Sequence, residues 1–119
     1  INTTEIDHVL LNQIKNAAQS LHGRQSGAQP EIRISAHQDN AVAVISVADN
    51  GPGMTEEVRR RVFEPFFTTK DVGKGTGLGL AVSHAIITKN HHGLLTVSSS
   101  PGQGCCFTIT LPTLQAEQP

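Results

Sequence analysis

The stretch GKGTGLGLAV, residues 73–82, places four glycines at alternate positions directly before an apolar run. Glycine adopts backbone conformations that a side chain would obstruct, so this density predicts a loop whose backbone approaches another group closely. A glycine-rich loop that runs into a helix N-terminus gathers unpaired N–H groups, which suits an anion such as phosphate. The same pattern also fits a plain loop before a helix, and the stretch alone leaves both interpretations open.

Two common phosphate-binding motifs do not match the context of this stretch. A Walker loop places G-x-x-x-x-G-K-[ST] directly after a strand, whereas Lys74 precedes Gly75 and residues 65–71 show no strand pattern. A dinucleotide fingerprint needs a strand–turn–helix unit, and no predicted strand leads into Gly75. The glycine stretch therefore belongs to neither class of site.

Size and composition indicate one globular domain. The chain has 119 residues, 37% hydrophobic residues and a net charge of −1. Without a basic excess we expect no nucleic-acid partner, and without an apolar run of about 20 residues we expect no direct membrane contact. Cys105 and Cys106 are adjacent and would point to opposite faces of a strand, which predicts reduced thiols in a cytoplasmic protein. The start INTTEIDH lacks an initiator Met, so we expect a piece of a longer protein.

The first predicted element is an amphipathic helix. Thr4 and Asp7 have the spacing of a capping box, and Gly23 is a natural helix stop. Between them, apolar residues recur every three or four positions and are predicted to face the core: Ile6, Leu10, Ile14, Ala17 and Leu21.

Strand pairs and helices alternate along the rest of the chain. We predict a hairpin over 31–36 and 41–47, a short helix from 55, a loop over 65–75, a helix from 77–79 to about 90, a hairpin over 94–98 and 106–111, and a loose tail over 113–119. Long helices interleaved with strand pairs indicate the α+β class, with one mixed sheet and the helices on one face.

Two groups of polar residues are candidates for a site. Asn12 and Asn16 are four residues apart and share a helix face, where they are either solvated or able to hold a hard cation through carbonyl oxygens. Asp49, Gly51 and Gly53 follow a predicted strand. This segment is either a simple turn or part of a binding site. In a binding site, the Asp49 carboxylate would accept a hydrogen bond from an amine, and the glycines would let a flat base approach the backbone.

Taken in order, four segments resemble the catalytic, ATP-binding domain of sensor histidine kinases. The segments are LLNQIKNAAQSL at 10–21, DNGPGM at 49–54, FEPFFTTK at 63–70 and GKGTGLGLAVS at 73–83, and PGQGCCFTITLP at 101–112 looks like the family's last hairpin. The resemblance covers nearly the whole chain, 1–119. It implies the Bergerat ATP-binding fold, a two-layer α/β sandwich whose mixed, mostly antiparallel sheet carries about three helices on one face.

The resemblance also implies roles for single residues. Asn16 matches the asparagine that coordinates Mg²⁺ between the phosphates, and Asp49 matches the aspartate that binds the adenine amino group. Gly51 and Gly53 match the glycines that line the base pocket. The remaining matches belong to the lid over the phosphates and to the helix start behind it: Lys70, Lys74, Gly75, Thr76, Gly77, Leu78 and Gly79.

Asn12 is implied to be the catalytic position. The ATP-hydrolysing relatives carry a glutamate there that activates water, and an asparagine cannot act as that general base. Phosphoryl transfer depends mainly on positioning and charge neutralisation, so the resemblance favours a kinase that holds Mg-ATP for an outside histidine. A nucleotide-binding module without catalysis, a related ATPase and a serine kinase are the alternatives.

The resemblance implies partners that the chain itself does not contain. The histidine-bearing dimerisation domain is absent, and none of the six histidines lies in the family's acceptor motif. We therefore expect this chain to bind ATP without phosphorylating itself, and a response regulator to act downstream. Where many members read I-x-x-H-G-G, this chain has IITKNHHG at 86–93, with Asn90 either inserted or substituted.

Overall fold

The computed structural model describes residues 3–22, 29–65, 67 and 79–112. Helices and strands follow one another in the predicted order. The helices are α1 (Thr3–His22), α2 (Glu56–Arg61) and α3 (Gly79–Ala85), which continues into a π-helical turn (Ile86–Asn90). The strands are β1 (Ile32–Asp39), β2 (Val42–Asp49), β3 (Leu94–Ser99) and β4 (Cys105–Pro112).

The four strands form one sheet in the order β1-β2-β4-β3. Every neighbouring pair is antiparallel, so the α+β class is confirmed, while the sheet within the described residues is antiparallel rather than mixed. Asn40 connects β1 to β2 with a left-handed backbone (φ 55°), a conformation that asparagine tolerates better than most residues. Both predicted hairpins are longer than expected, because the pairing continues to Asp49 in β2 and to Pro112 in β4.

The core lies between the helices and one face of the sheet. Along β4 the buried residues alternate with half-buried ones, as a strand with one covered face requires. Helices and strands contribute to a single apolar cluster of buried residues: Ile6, Val9, Val62, Ile87, Leu95, Cys105, Phe107, Ile109 and Leu111. The predicted two layers therefore share one core.

The buried face of α1 differs from the predicted stripe. Ile6 and Ala17 are buried as expected, but Val9 and Gln13 are the buried residues between them, whereas Leu10 and Ile14 are only half-buried. Counting only apolar residues passed over Gln13, a polar residue that is 1% exposed. The face of α1 that is buried is therefore turned slightly away from the stripe of apolar residues.

The end of α3 shows how the chain accommodates Asn90. A π turn widens a helix to hold one additional residue, which favours insertion over substitution at this point. Asn90 Nδ2 donates to Glu5 Oε2 (3.2 Å), and the buried His91 places Nε2 2.9 Å from Glu5 Oε1. These contacts fasten the first turn of α1 to the end of the π turn.

Phe63 packs against the core cluster and joins the end of α2 to it. Its ring lies 4.8 Å from the His84 ring and 6.2 Å from the Phe107 ring, measured between centroids. Phe66 lies outside the described residues. Among the residues that the structure describes, no helix is both long and apolar enough to cross a bilayer.

Candidate functional site

The candidate site follows a line of polar side chains on α1, which we call the polar row: Asn12, Asn16 and Ser20. They are spaced four residues apart, so they lie on one helix face and span about 12 Å along the axis. All three are half-buried. The two asparagines share a face as expected, and neither is exposed to solvent in the way that a surface residue would be.

One end of the polar row meets the end of β2, and we call this the strand end. Asp49 is the last residue of β2, and its Oδ1 accepts hydrogen bonds from Gly51 N (2.8 Å) and Ser20 Oγ (3.4 Å). A Cβ on Gly51 would lie only 2.5 Å from Ser20 Oγ, so a side chain there would displace the Ser20 hydroxyl from its contact with Asp49. The carboxylate is therefore held in a fixed orientation at the strand end.

The turn after Asp49 is closed by Asn50. Its Oδ1 accepts from Glu31 N (2.8 Å), and its Nδ2 donates to Gln29 O (2.8 Å). The two neighbours thus have different partners: Asp49 contacts Ser20 of the polar row, and Asn50 bonds the turn to the residues before β1. The segment is both a hydrogen-bonded turn and a placed carboxylate.

Gly53 is needed for packing against the β3–β4 turn. It has a φ of +77°, and a Cβ there would overlap the carbonyl oxygen of Ser100. Gly104 (φ +75°) approaches the Asp49 carbonyl oxygen in the same way. These contacts explain the glycine at 53 without a ligand, and a part for Gly53 in lining a base pocket stays a prediction.

The other end of the polar row meets the start of α3, and we call this the helix end. Asn12 Nδ2 donates to Gly79 O (2.8 Å) and to Ser83 Oγ (3.0 Å). Gly79 therefore lies beside the polar row, and its role toward the phosphates stays a prediction. The other predicted lid residues fall outside the described residues: Lys70, Lys74, Gly75, Thr76, Gly77 and Leu78.

Asn16 lies between the two ends. Its position on the shared face is compatible with a metal ligand, and its role toward Mg²⁺ stays a prediction. Among the described residues no group of three or more His, Cys, Asp or Glu side chains could hold a metal ion. A metal at this row would therefore depend on oxygen ligands from a bound substrate, as Mg²⁺ commonly does with phosphates.

The thiol of Cys105 lies behind the strand end. Burial raises the pKa of this thiol above its ordinary value, the hydrogen bond with Ser99 opposes the shift, and the negative charge of Asp49 adds to it. Cys105 is paired with Asp49 across the β2–β4 ladder. The thiol is thus a neutral group beside the carboxylate.

Three residues of this region were not predicted from the sequence. Ser20 continues the four-residue spacing of Asn12 and Asn16, so that periodicity could have revealed it. Ser83 could not be found in this way, because its partner Asn12 is 71 positions away. Gln13 gave no signal, since its burial contradicts its residue type.

A family model described as histidine kinase-, DNA gyrase B- and HSP90-like ATPase matches residues 1–115 of this chain. Among curated proteins, the two-component sensor PprA of Pseudomonas aeruginosa is 39% identical over 110 residues, which are 91% of this chain and 12% of that protein. The signal transduction histidine-protein kinase AtoS of Escherichia coli K12 is 43% identical over 108 residues, which are 90% of this chain and 16% of that protein. The chain thus spans a small part of these relatives.

Solved structures agree with the sequence comparison. The nucleotide-free catalytic domain of the histidine kinase ThkA superposes with a TM-score of 0.78 at 32% identity. The match covers 95% of this chain and 70% of that one. The fold is therefore that of a histidine kinase catalytic domain.

Proposed function

The chain belongs to the family of histidine kinase-, DNA gyrase B- and HSP90-like ATPases, and from this membership we propose that it binds Mg-ATP and donates the γ-phosphate to a histidine. The histidine would lie on a separate dimerisation domain of the parent sensor kinase, in the cytoplasm, with a response regulator as the next acceptor. Similarity to two-component sensors along nearly the whole chain supports this proposal.

The observation that carries the proposal is the fixed carboxylate of Asp49. Gly51 N and Ser20 Oγ both contact Oδ1, so the second oxygen, Oδ2, is directed by the same two contacts. A carboxylate accepts from the exocyclic amine of adenine, whereas guanine carries a carbonyl acceptor at the same ring position. We therefore propose that Asp49 selects adenine, with Gly51 lining the base pocket through the backbone N–H that holds the carboxylate.

The polar row fits the remainder of a nucleoside triphosphate. Asn16 supplies an amide oxygen of the kind that Mg²⁺ accepts, and the phosphates supply further oxygens. Gly79 stands at the N-terminus of α3, where amide N–H groups favour an anion. We propose that the lid residues bind the phosphates together with this end: Lys70, Lys74, Gly75, Thr76, Gly77, Leu78 and Gly79.

Asn12 supports a kinase over a hydrolase. Its amide cannot take a proton from water, and its Nδ2 is already engaged with α3. When bound, Mg-ATP supplies the phosphoryl group, while the protein positions it and balances its charge. The nucleophile therefore has to come from outside this chain, and a histidine is the acceptor that the named relatives indicate.

The first test is calorimetric titration of the chain with a non-hydrolysable ATP analogue, with and without Mg²⁺. Asp49→Ala should weaken binding by about 2 kcal/mol, roughly 30-fold, because one charged hydrogen-bond acceptor is lost. Asp39→Ala is the matched control, since Asp39 is an exposed carboxylate at the other end of the same hairpin. If both variants bind like the parent, the base assignment is wrong.

Two further measurements separate the alternatives. Asn16→Ala should abolish the gain in affinity that Mg²⁺ gives while retaining affinity for the base. Mixing the chain with the dimerisation domain of its parent and labelled ATP should give phosphohistidine. Binding without any phosphohistidine would indicate a nucleotide-binding module, phosphoserine would indicate a serine kinase, and phosphate release without an acceptor would indicate an ATPase.

A further inference from the structure

The contact between α1 and α3 at the helix end contains a buried serine that the proposed function does not use. Ser83 has no exposed surface, and its Oγ accepts from Asn12 Nδ2 at 3.0 Å. The same nitrogen donates to Gly79 O at 2.8 Å. Two acceptors on α3 therefore meet one amide on α1.

The chemistry of these acceptors fixes which way the Asn12 amide faces. A backbone carbonyl can only accept, so the atom of Asn12 beside Gly79 O has to be the nitrogen. An amide nitrogen carries two hydrogens, and the two contacts with α3 use both. The carbonyl oxygen Oδ1 is then the end of the amide that remains for a ligand.

Gly79 makes this arrangement possible. A Cβ on Gly79 would lie 2.9 Å from Asn12 Nδ2 and 3.1 Å from Oδ1. The amide therefore lies directly against the backbone of the first turn of α3. A side chain at 79 would displace the Asn12 amide from this position.

We propose that Ser83 is a positioning residue for phosphoryl transfer, and that it acts by orienting the Asn12 amide. With its nitrogen held by Ser83 and Gly79, Asn12 presents an acceptor and not a donor to the site. Two acceptors do not hydrogen bond, so Oδ1 does not bind a phosphate oxygen directly. It accepts instead from an O–H or N–H group, such as a water or the imidazole of the incoming histidine. This inference rests on the proposed function.

The first test is independent of ATP and follows the side-chain NH₂ group of Asn12 by NMR in the ¹⁵N-labelled chain, assigned from its loss in Asn12→Asp. In the parent, both protons should be shifted by hydrogen bonding and should exchange slowly with water. Ser83→Ala should shift one proton toward the free-amide position and speed its exchange, whereas Ser83→Thr should keep both protons in place. Val82→Ala, on the exposed neighbouring position of the same helix, is the control.

The second test measures phosphotransfer to the histidine-bearing domain. Ser83→Ala should lower the maximal rate roughly tenfold, because misplacing a positioning group by a fraction of an ångström has effects of this size. The affinity for Mg-ATP should stay within about twofold, since Ser83 does not face the ligand. Ser83→Thr should restore the rate.

The outcomes distinguish the inference from the proposed function. If the parent fails to bind Mg-ATP, the proposed function is wrong, while the NMR result still tests the orientation of Asn12. If the parent binds and transfers phosphate but Ser83→Ala changes neither the NH₂ signals nor the rate, Ser83 has no positioning role. If Ser83→Ala unfolds the chain, Ser83→Thr tests the positioning role instead. A Ser83→Thr variant that transfers phosphate slowly while both Asn12 protons remain hydrogen-bonded would overturn the proposal.

Discussion

At the strand end of the polar row, the Asp49 carboxylate accepts hydrogen bonds from the backbone of its own turn and from Ser20, whereas at the helix end one amide, that of Asn12, joins α1 to α3. The strand end is also closed by the β3–β4 turn, where Gly104 leaves no room for a side chain against the Asp49 carbonyl oxygen. The helix end depends on a single side chain beside a segment that begins at Gly79.

This difference suits the two tasks proposed for the ends. Recognition of a flat base requires an acceptor that does not move, and a preorganised acceptor gives specificity at low entropic cost. Phosphoryl transfer depends on positioning, which at the helix end is the proposed task of the amide that Gly79 and Ser83 hold.

The largest expected effect comes from filling the strand end. Gly104→Ala should lower the free energy of unfolding by about 2–5 kcal/mol, because it adds a strained left-handed residue and an overlap with the Asp49 carbonyl. Gly102→Ala is the matched control. Gly102 has a φ of +79°, and a Cβ added there would meet nothing within 4 Å, so only backbone strain lowers its free energy of unfolding, by about 1–2 kcal/mol. Urea denaturation measures both, and equal losses would contradict the packing argument.

Replacing Gln13, which lies on α1 between the two ends, should raise the free energy of unfolding by a smaller amount. Its side-chain Nε2 and Oε1 are buried, and neither has a hydrogen-bond partner within the described part of the chain. Gln13→Met keeps the shape and removes the unsatisfied amide, so the free energy of unfolding should rise by about 1–3 kcal/mol.

Gln19→Met is the control for Gln13→Met, because Gln19 is exposed on the same helix and its change should stay within about 0.5 kcal/mol. The calorimetric affinity of Gln13→Met for nucleotide should equal that of the parent, since Gln13 is buried and is not among the proposed ligand-binding residues. A destabilised Gln13→Met would show that the amide has a partner in the folded chain.

The strand end was the more predictable of the two ends. Asp49 follows an apolar strand and precedes glycines, so local sequence indicated both the turn and the carboxylate. The spacing of Asn12 and Asn16 could have revealed Ser20 on the same helix face, but not its bond to Asp49, which is 29 positions away on β2. Local pattern is sufficient for the turn itself, because Asp49 and Gly51 are close in sequence.

The helix end could not be predicted beyond Gly79. Asn12 and Ser83 are distant in sequence, and only the packing of α1 on α3 brings them together. A serine within an apolar helix looks like a neutral position. Gln13 was missed for a related reason, because hydrophobic periodicity assigns burial by residue type. The face of α1 that is buried includes both Val9 and the polar Gln13 one turn later.

The smallest expected effect concerns the two cysteines behind the strand end. Cys105 is buried with a raised pKa, whereas Cys106 is half-buried on the other face of the sheet. The thiolate is the reactive form, so iodoacetamide at pH 8 should modify Cys106 at least about tenfold faster than Cys105. Mass spectrometry of Cys105→Ala and Cys106→Ala assigns each rate, and equal rates in the folded chain would contradict the burial of Cys105.

The same thiol predicts how stability depends on alkaline pH. The unfolded chain ionises Cys105 near its ordinary value of 9.0, while the folded chain holds the proton to higher pH because burial disfavours the thiolate. This contribution to stability is therefore complete below pH 9 and is lost as the pH rises through the higher pKa of the folded state. Replacing Cys105 by alanine should flatten the decline in Tm above pH 9, whereas Cys106→Ala should change it less, because burial is the largest cause of the shift.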